Sequence, residues 1–181
     1  MQLSPPPPPR RRLGAFALLA ALGAGACASA RPRAPTQVGP EEVFRYDLTL
    51  LDGRHVDERA MRGQVVLLDV WATWCAPCEK SFPFYAELER RYRDEGLVVV
   101  AVSVDERAED VRAWLEGRDL PFVFAHDPEG ALPERIGLKT MPSALVLDRE
   151  SHVRGAHAGF RPGDEAEVER MVRDALGLAA P

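Results

Sequence analysis

Cysteine is scarce in this chain: there are three among 181 residues, and only Cys75 and Cys78 stand close together. Structural zinc takes four ligands, and neither a second C-x-x-C nor an H-x-x-x-H accompanies that pair, so no metal is expected. The histidines, His55, His126, His152 and His157, are scattered, form no ligand set and are read as surface or loop residues. Positive charge is in deficit, with 23 Lys and Arg against 28 Asp and Glu and a formal net charge of -5. That balance speaks against nucleic acid as a partner, which needs a basic face. There is no internal repeat, and the one low-complexity stretch is Pro5 to Pro9. What remains fits one domain behind a leader, because a single core grows to this size before splitting.

A long apolar run is missing too. Arg10, Arg11 and Arg12 lead into the apolar residues 13–22 and then into small residues, the three regions of an export signal. The apolar part is shorter than the roughly 20 residues of a spanning helix. Ala24-Gly25-Ala26-Cys27 is similar to a lipobox, in which the cysteine becomes the acylated first residue, although Ala24 stands where leucine is usual. Ala28-Ser29-Ala30 offers an ordinary cleavage site that would discard Cys27, and an uncleaved anchor is a third reading. An odd cysteine is a liability in an oxidising compartment, which favours acylating or removing Cys27. Residues 1–27 are therefore read as a signal peptide with Cys27 as the lipidation position, 28–40 as a Pro-rich tether, and 41–178 as the folded domain. The expected location is extracytoplasmic, in the periplasm, with the N-terminus holding the domain at a membrane.

Within that domain, residues 44–50 and 54–56 flank Asp52-Gly53 and read as a hairpin beside the main sheet. Residues 65–71 and 97–104 are nearly continuous apolar runs, the pattern of strands buried on both faces. Between them Phe82, Tyr85, Leu88 and Tyr92 recur at helical spacing. Ala108, Val111, Trp114 and Leu115 mark a second helix, and Val168, Met171, Val172, Ala175 and Leu176 a last one that Gly177 stops. Residues 122–125, 143–147 and 153–158 supply further strands, the last two joined by a turn at 148–151. This alternation implies parallel crossovers and a sheet covered on both faces, finished by an antiparallel hairpin and a helix. Pro83 falls inside the first long helix and is expected to kink it, and Trp71 and Trp114 are read as core.

Chemistry concentrates in Trp71-Ala72-Thr73-Trp74-Cys75-Ala76-Pro77-Cys78, between the first buried strand and the first long helix. A thiol attacks a disulfide only as thiolate, and a free cysteine has a pKa of about 8.5. Two residues between the sulfurs on a first helical turn put Cys75 at the helix N-terminus, whose unpaired N–H groups favour an anion by roughly 0.3 to 1 kcal/mol. A pKa unit is worth about 1.36 kcal/mol, so this end draws Cys75 toward neutral pH. Cys78, one turn inside, is expected to be buried, to have a raised pKa and to need a proton acceptor before it resolves a mixed disulfide. Asp69 is the candidate acceptor, because burial in an apolar strand raises a carboxyl toward the range useful for proton exchange. The competing reading is a structural carboxylate bonded to backbone at the strand end.

The W-C-x-x-C, Pro83 five residues after the second cysteine, and Met141-Pro142 before the next strand occur in that order behind a leader. Over residues 41–178 they resemble the thioredoxin superfamily, and within it the TlpA-like and ResA-like membrane-tethered reductases. The resemblance implies an α/β, thioredoxin-like fold with a central mixed sheet, helices on both faces and an N-terminal β-hairpin extension. It implies a thiol:disulfide oxidoreductase in which Cys75 and Cys78 alternate between dithiol and disulfide with no other cofactor. Its partners would be protein thiols and disulfides, apocytochrome c or copper-site cysteines among them, and a membrane electron donor; a monomer is expected. A cis Met141-Pro142 bond is implied as well, exposing the backbone of Met141 to an extended substrate in a groove bordered by Thr140 and Trp74. Ala76 stands where close ResA-like proteins often carry Glu, so their narrow substrate preference does not transfer. Two rivals share the fold: a copper-handling module using the cysteines with His126, and a peroxiredoxin-like peroxidase. The first usually has three residues between its cysteines, and the second usually has Thr three residues before its cysteine, where Ala72 stands here.

Overall fold

The computed structural model describes residues 42–179, so the leader, Cys27 and the tether lie outside the described residues. The elements are β1 (Asp47–Leu50), β2 (His55–Asp57), β3 (Val65–Trp71), α1 (Ala76–Tyr92), β4 (Leu97–Ser103), α2 (Ala108–Leu115), β5 (Val123–His126), α3 (Ala131–Arg135), β6 (Ser143–Leu147), β7 (Val153–Ala158) and α4 (Glu165–Leu176). The strands form one mixed sheet in the order β2-β1-β5-β4-β3-β6-β7. β3 is at its heart, parallel to β4 and antiparallel to β6, and all seven of its residues are buried. This is why its sequence, Asp69 apart, is apolar throughout rather than alternating.

The pleat of β3 divides the core in two. Val65, Leu67 and Trp71 pack with α1, α2 and α4, whereas Val66, Leu68 and Val70 pack with α3 and the segment holding Phe44, Tyr46 and Leu48. Trp71 anchors the first layer, its ring 4.9 Å from Phe82 and 4.8 Å from Trp114. Met171 of the last helix lies directly over β7: a Cβ on Gly155 would stand 2.3 Å from its sulfur, so a side chain there would force Met171 to shift. No helix among the described residues is long and apolar enough to cross a membrane.

Three details differ from the sequence reading. The hairpin's first arm begins at Asp47, because Val43 bridges His152 and the Phe44 amide donates to the Ser151 carbonyl, tying residues 43–44 to the β6–β7 turn. Through antiparallel pairing of β1 with β5 the hairpin extends the sheet itself. α3 was not expected; it is five residues long and contains Pro133, and the Asp127 carboxylate caps it by accepting the Ala131 and Leu132 amides. His157 is not a surface or loop residue but lies buried in β7, and His126, half-buried at the end of β5, bonds through Nε2 to the Asp105 carbonyl at 2.7 Å.

α1 runs as one element through Pro83, with a second polar residue turned inward. Glu89 is buried, accepts the Val99 amide at 3.2 Å and is pushed up to about 7, chiefly by burial. The folded chain therefore holds a proton that the unfolded chain releases from about 4.5 upward, so this group's contribution to stability falls as pH rises from 4.5 to 7. Glu89→Gln keeps an acceptor for Val99 but cannot ionise. It is expected to match the parent at pH 4.5 and to exceed it by about 2–3 kcal/mol at pH 8, read from urea unfolding midpoints. Equal midpoints at pH 8 would refute this.

Candidate active site

β3 delivers its C-terminal end to a tight turn: the Cys75 amide donates to the Ala72 carbonyl, and α1 starts immediately afterwards with Cys75 as its N-cap. Cys75 and Cys78 are joined in a disulfide with Cα atoms 5.3 Å apart, a separation natural to neighbouring positions of a first turn. Cys78 is fully buried, Cys75 retains 7% of its surface, and Trp74 beside it is 67% exposed. The outer and inner sulfurs are thus distinguished by depth, as expected from their places on the helix.

The Met141-Pro142 bond is cis. Register pairs Val70 of β3 with Ser143 of β6, which sets Met141 and Pro142 at the same end of the sheet as the turn leading to Cys75. Pro142 is buried, Met141 half-buried and Thr140 exposed, so depth grades across this loop too. The loop is pinned from both sides, by Ser143 Oγ donating to the Thr140 carbonyl and by the Gly159 amide donating to the Pro142 carbonyl.

Asp69 lies on the pleat face of Leu67 and Trp71, toward α1 and the cysteines. It is completely buried, and neither carboxylate oxygen has a hydrogen-bond partner. The expectation of a carboxylate bonded to backbone at the strand end is therefore not met. Burial alone holds its pKa well above the usual carboxylate range. Strongly shifted acids beside a reactive group are what proton-transfer sites require.

A second carboxylate was missed by the sequence reading. Asp105, buried just beyond β4, accepts the Thr73 amide at 3.2 and 3.0 Å, the Thr73 hydroxyl at 2.6 Å and the Ser103 hydroxyl at 2.6 Å. It thereby fixes the turn that presents Trp74 and Cys75. Its only sequence signal was position: an acid two residues past a buried strand, parallel to the strand that feeds the cysteines.

Among the described residues, one group offers three metal-ligating atoms within 4.8 Å, Asp148, Glu150 and His152. It sits in the β6–β7 turn, at the far end of β6 from Pro142. The Asp148 carboxylate is already engaged by Arg154 and by the Glu150 and His152 amides, so it organises the turn.

A Cys-x-x-Cys disulfide opening a helix beside a cis-proline, on a mixed sheet of this order, defines a thioredoxin-fold protein with a redox-active cysteine pair. The Redoxin family model matches residues 33–172. ResA, a thiol-disulfide oxidoreductase of Bacillus thuringiensis, is 30% identical over 113 residues, which cover 62% of this chain and 65% of that protein. The thioredoxin-like protein YneN of Bacillus subtilis is 31% identical over 67% of this chain and 72% of its own length. Among solved structures, one described as the thiol:disulfide interchange protein DsbE of Chlorobium tepidum superposes with a TM-score of 0.70 at 34% identity, over 81% of this chain and 99% of that one. The chain belongs to the Redoxin family, within the thioredoxin superfamily, and is ResA-like.

Proposed function

We propose that this chain is an extracytoplasmic thiol:disulfide oxidoreductase that reduces protein disulfides through the Cys75–Cys78 pair. The observation that carries the reading is the asymmetry of the disulfide: one sulfur at the edge of the surface at a helix N-terminus, the other sealed beneath it on the layer of an unpartnered carboxyl. In the reduced form the Cys75 thiolate, favoured by the start of α1, attacks a substrate disulfide and forms a mixed disulfide. Asp69 takes the Cys78 proton, the Cys78 sulfur attacks Cys75, and the substrate leaves reduced. Trp74, Thr140 and Met141 border the place where the substrate chain lies, and the Met141 backbone beside Pro142 pairs with it as an added strand. A membrane dithiol donor recharges the pair, and acylated Cys27 tethers the domain; a solved relative from Streptococcus pneumoniae, 25% identical with a TM-score of 0.60, is described as an exposed lipoprotein thioredoxin.

The test uses full-length protein extracted from membranes. Its intact mass is expected to show a lipid-modified N-terminus at Cys27, and an unmodified N-terminus at Arg31 would remove the tether from this reading. The Cys75–Cys78 potential is expected at or below about -220 mV, with dithiol-driven reduction of insulin that Cys75→Ser abolishes. A value near about -120 mV would make the pair an oxidant. Failure to exchange with any dithiol would end the proposal.

A further inference from the structure

Acidic residues outnumber basic ones in this chain, 28 to 23, yet cations without partners gather around the redox pair. Only two of the basic residues are lysines, Lys80 and Lys139, and both are exposed there. Neither forms an ion pair with another described residue. Lys80 lies four residues after Ala76 and four before Phe84 in α1, so the three share one helix face. Phe84 stacks on Phe160 with ring centres 5.9 Å apart, and Phe160 follows Gly159, whose amide donates to the Pro142 carbonyl. Lys80 therefore lies beside the β7–α4 loop, which holds the cis-proline from one side. Lys139 stands two residues before Met141 on the approach to that proline, and Arg161, also exposed, follows Phe160.

The acids of this rim are mostly engaged or sealed. Glu79 pairs with Arg118 at 3.1 Å, and Glu109 is shared by Arg107 and Arg112. Asp105 is buried and bonded to Thr73 and Ser103, and Asp164 is buried and accepts the Arg161 amide. Glu165 accepts the Gly163 amide at 2.7 Å. Glu106, exposed just beyond β4, stands against Lys80, Lys139 and Arg161, so the balance at the rim is positive. A residue two places from a substrate cysteine in an extended chain lies about 7 Å from it. That reach matches the rise of about 7.5 Å over the five residues from Cys75 to Lys80.

We propose that this rim selects substrates whose reacting cysteine is flanked by acidic residues, with Lys80 and Lys139 attracting their carboxylates from opposite borders of the cis-proline loop and Arg161 adding to the field. The inference rests on Cys75 being the sulfur that attacks substrate disulfides. Exposed charges act mainly on encounter, so the preference appears in the rate of attack and is screened by salt. Lysine suits this task. Its ammonium is a compact charge on a flexible stem and follows carboxylates at varied positions, whereas a guanidinium favours one planar geometry. The selection is therefore for an acidic context rather than for one sequence.

The probes are short peptides with one cysteine held in a disulfide to 2-nitro-5-thiobenzoate, carrying glutamate, glutamine or lysine two places to either side. The Cys75 thiolate attacks the peptide sulfur, the probe's disulfide bond breaks, and the coloured aryl thiolate leaves with the electron pair. With the reduced full chain at pH 7 and about 0.01 M salt, the glutamate peptide is expected to react about 10-fold or more faster than the lysine peptide. At about 1 M salt, where the screening length is about 3 Å, that ratio should fall below about 2. Lys80→Glu with Lys139→Glu should invert the low-salt preference, and Lys80→Arg with Lys139→Arg should keep it. Both lysines also favour the Cys75 thiolate, but that multiplies the rates of all three peptides alike, so the ratio reads docking. Arg62→Glu makes the same charge change as Lys139→Glu, but at the opposite end of the sheet, where the Gly63 amide meets the Arg149 carbonyl. It should keep the parent's ratio while Lys139→Glu lowers it. A parent ratio near one, a double glutamate variant with the parent's ratio, or equal effects of Arg62→Glu and Lys139→Glu would overturn the inference. Equal release from all three peptides that Cys75→Ser abolishes defeats the selective rim alone, whereas release that persists in Cys75→Ser defeats the oxidoreductase reading itself.

Discussion

Cys78→Ala is expected to turn a catalyst into a trap. The outer thiol remains at the start of α1, so attack on a substrate disulfide proceeds as before, but the sulfur that expels the substrate is gone. Resolution is intramolecular in the parent, between cysteines whose Cα atoms are 5.3 Å apart. Well-oriented intramolecular groups act with effective concentrations of roughly 10⁵ M or more, which millimolar external thiol cannot replace. Turnover of insulin should therefore fall at least about 10³-fold, while a covalent adduct through Cys75 accumulates and survives non-reducing electrophoresis. Trapping also serves discovery, since substrates captured from an extracytoplasmic extract can be identified by mass spectrometry. A variant that turns over normally, or that captures nothing while Cys75 stays reduced, would show that Cys78 is not the resolving thiol.

Asp69→Asn carries the second large effect, and it has two faces. Kinetically, removing the acceptor for the Cys78 proton should slow resolution by about 10²-fold with little change in attack. Thermodynamically, the sign is opposite. Burial raises the Asp69 pKa well above 3.8, so the folded chain binds a proton that the unfolded chain has already released. Stability contributed by this group is complete below that ordinary value, declines as pH rises through the interval up to the folded pKa, and is lost above it. Asparagine has nearly the same shape and never ionises. The oxidised variant should therefore match the parent at acid pH and become progressively more stable than it toward pH 8 and beyond, by about 1–3 kcal/mol. Calorimetric or urea unfolding across that range measures the difference. A variant less stable than the parent at pH 8 would show that Asp69 has a stabilising partner after all.

Elements with a strong periodic signal were legible from the residues. β3 and β4 announced themselves as nearly continuous apolar runs because both their faces are covered, and α4 ended at Gly177, whose φ of 75° is the left-handed stop read from the sequence. The cysteine pair could be placed at the start of α1 because its spacing and the strand before it leave one arrangement. Elements held by single tertiary bonds were not legible. α3 depends on the Asp127 cap, and the segment that enters the hairpin depends on the carbonyl of Ser151, 107 positions beyond the Phe44 amide that it accepts. Asp105 escaped notice for the same reason, since its importance comes from Thr73, thirty-two residues distant.

By itself, then, the order of residues determined which cysteines stand together, that they open a helix and which strand carries an acid just before them, because these follow from spacing along one continuous segment. Tertiary structure alone decided that Asp69 has no partner, that Asp105 clamps the turn, and that His157 shares a row with Asp69. Each of those facts depends on how β3, β4, β6 and β7 align side by side, and hydrogen-bond register between strands distant in the chain is set by the packing of whole faces, which no local pattern encodes.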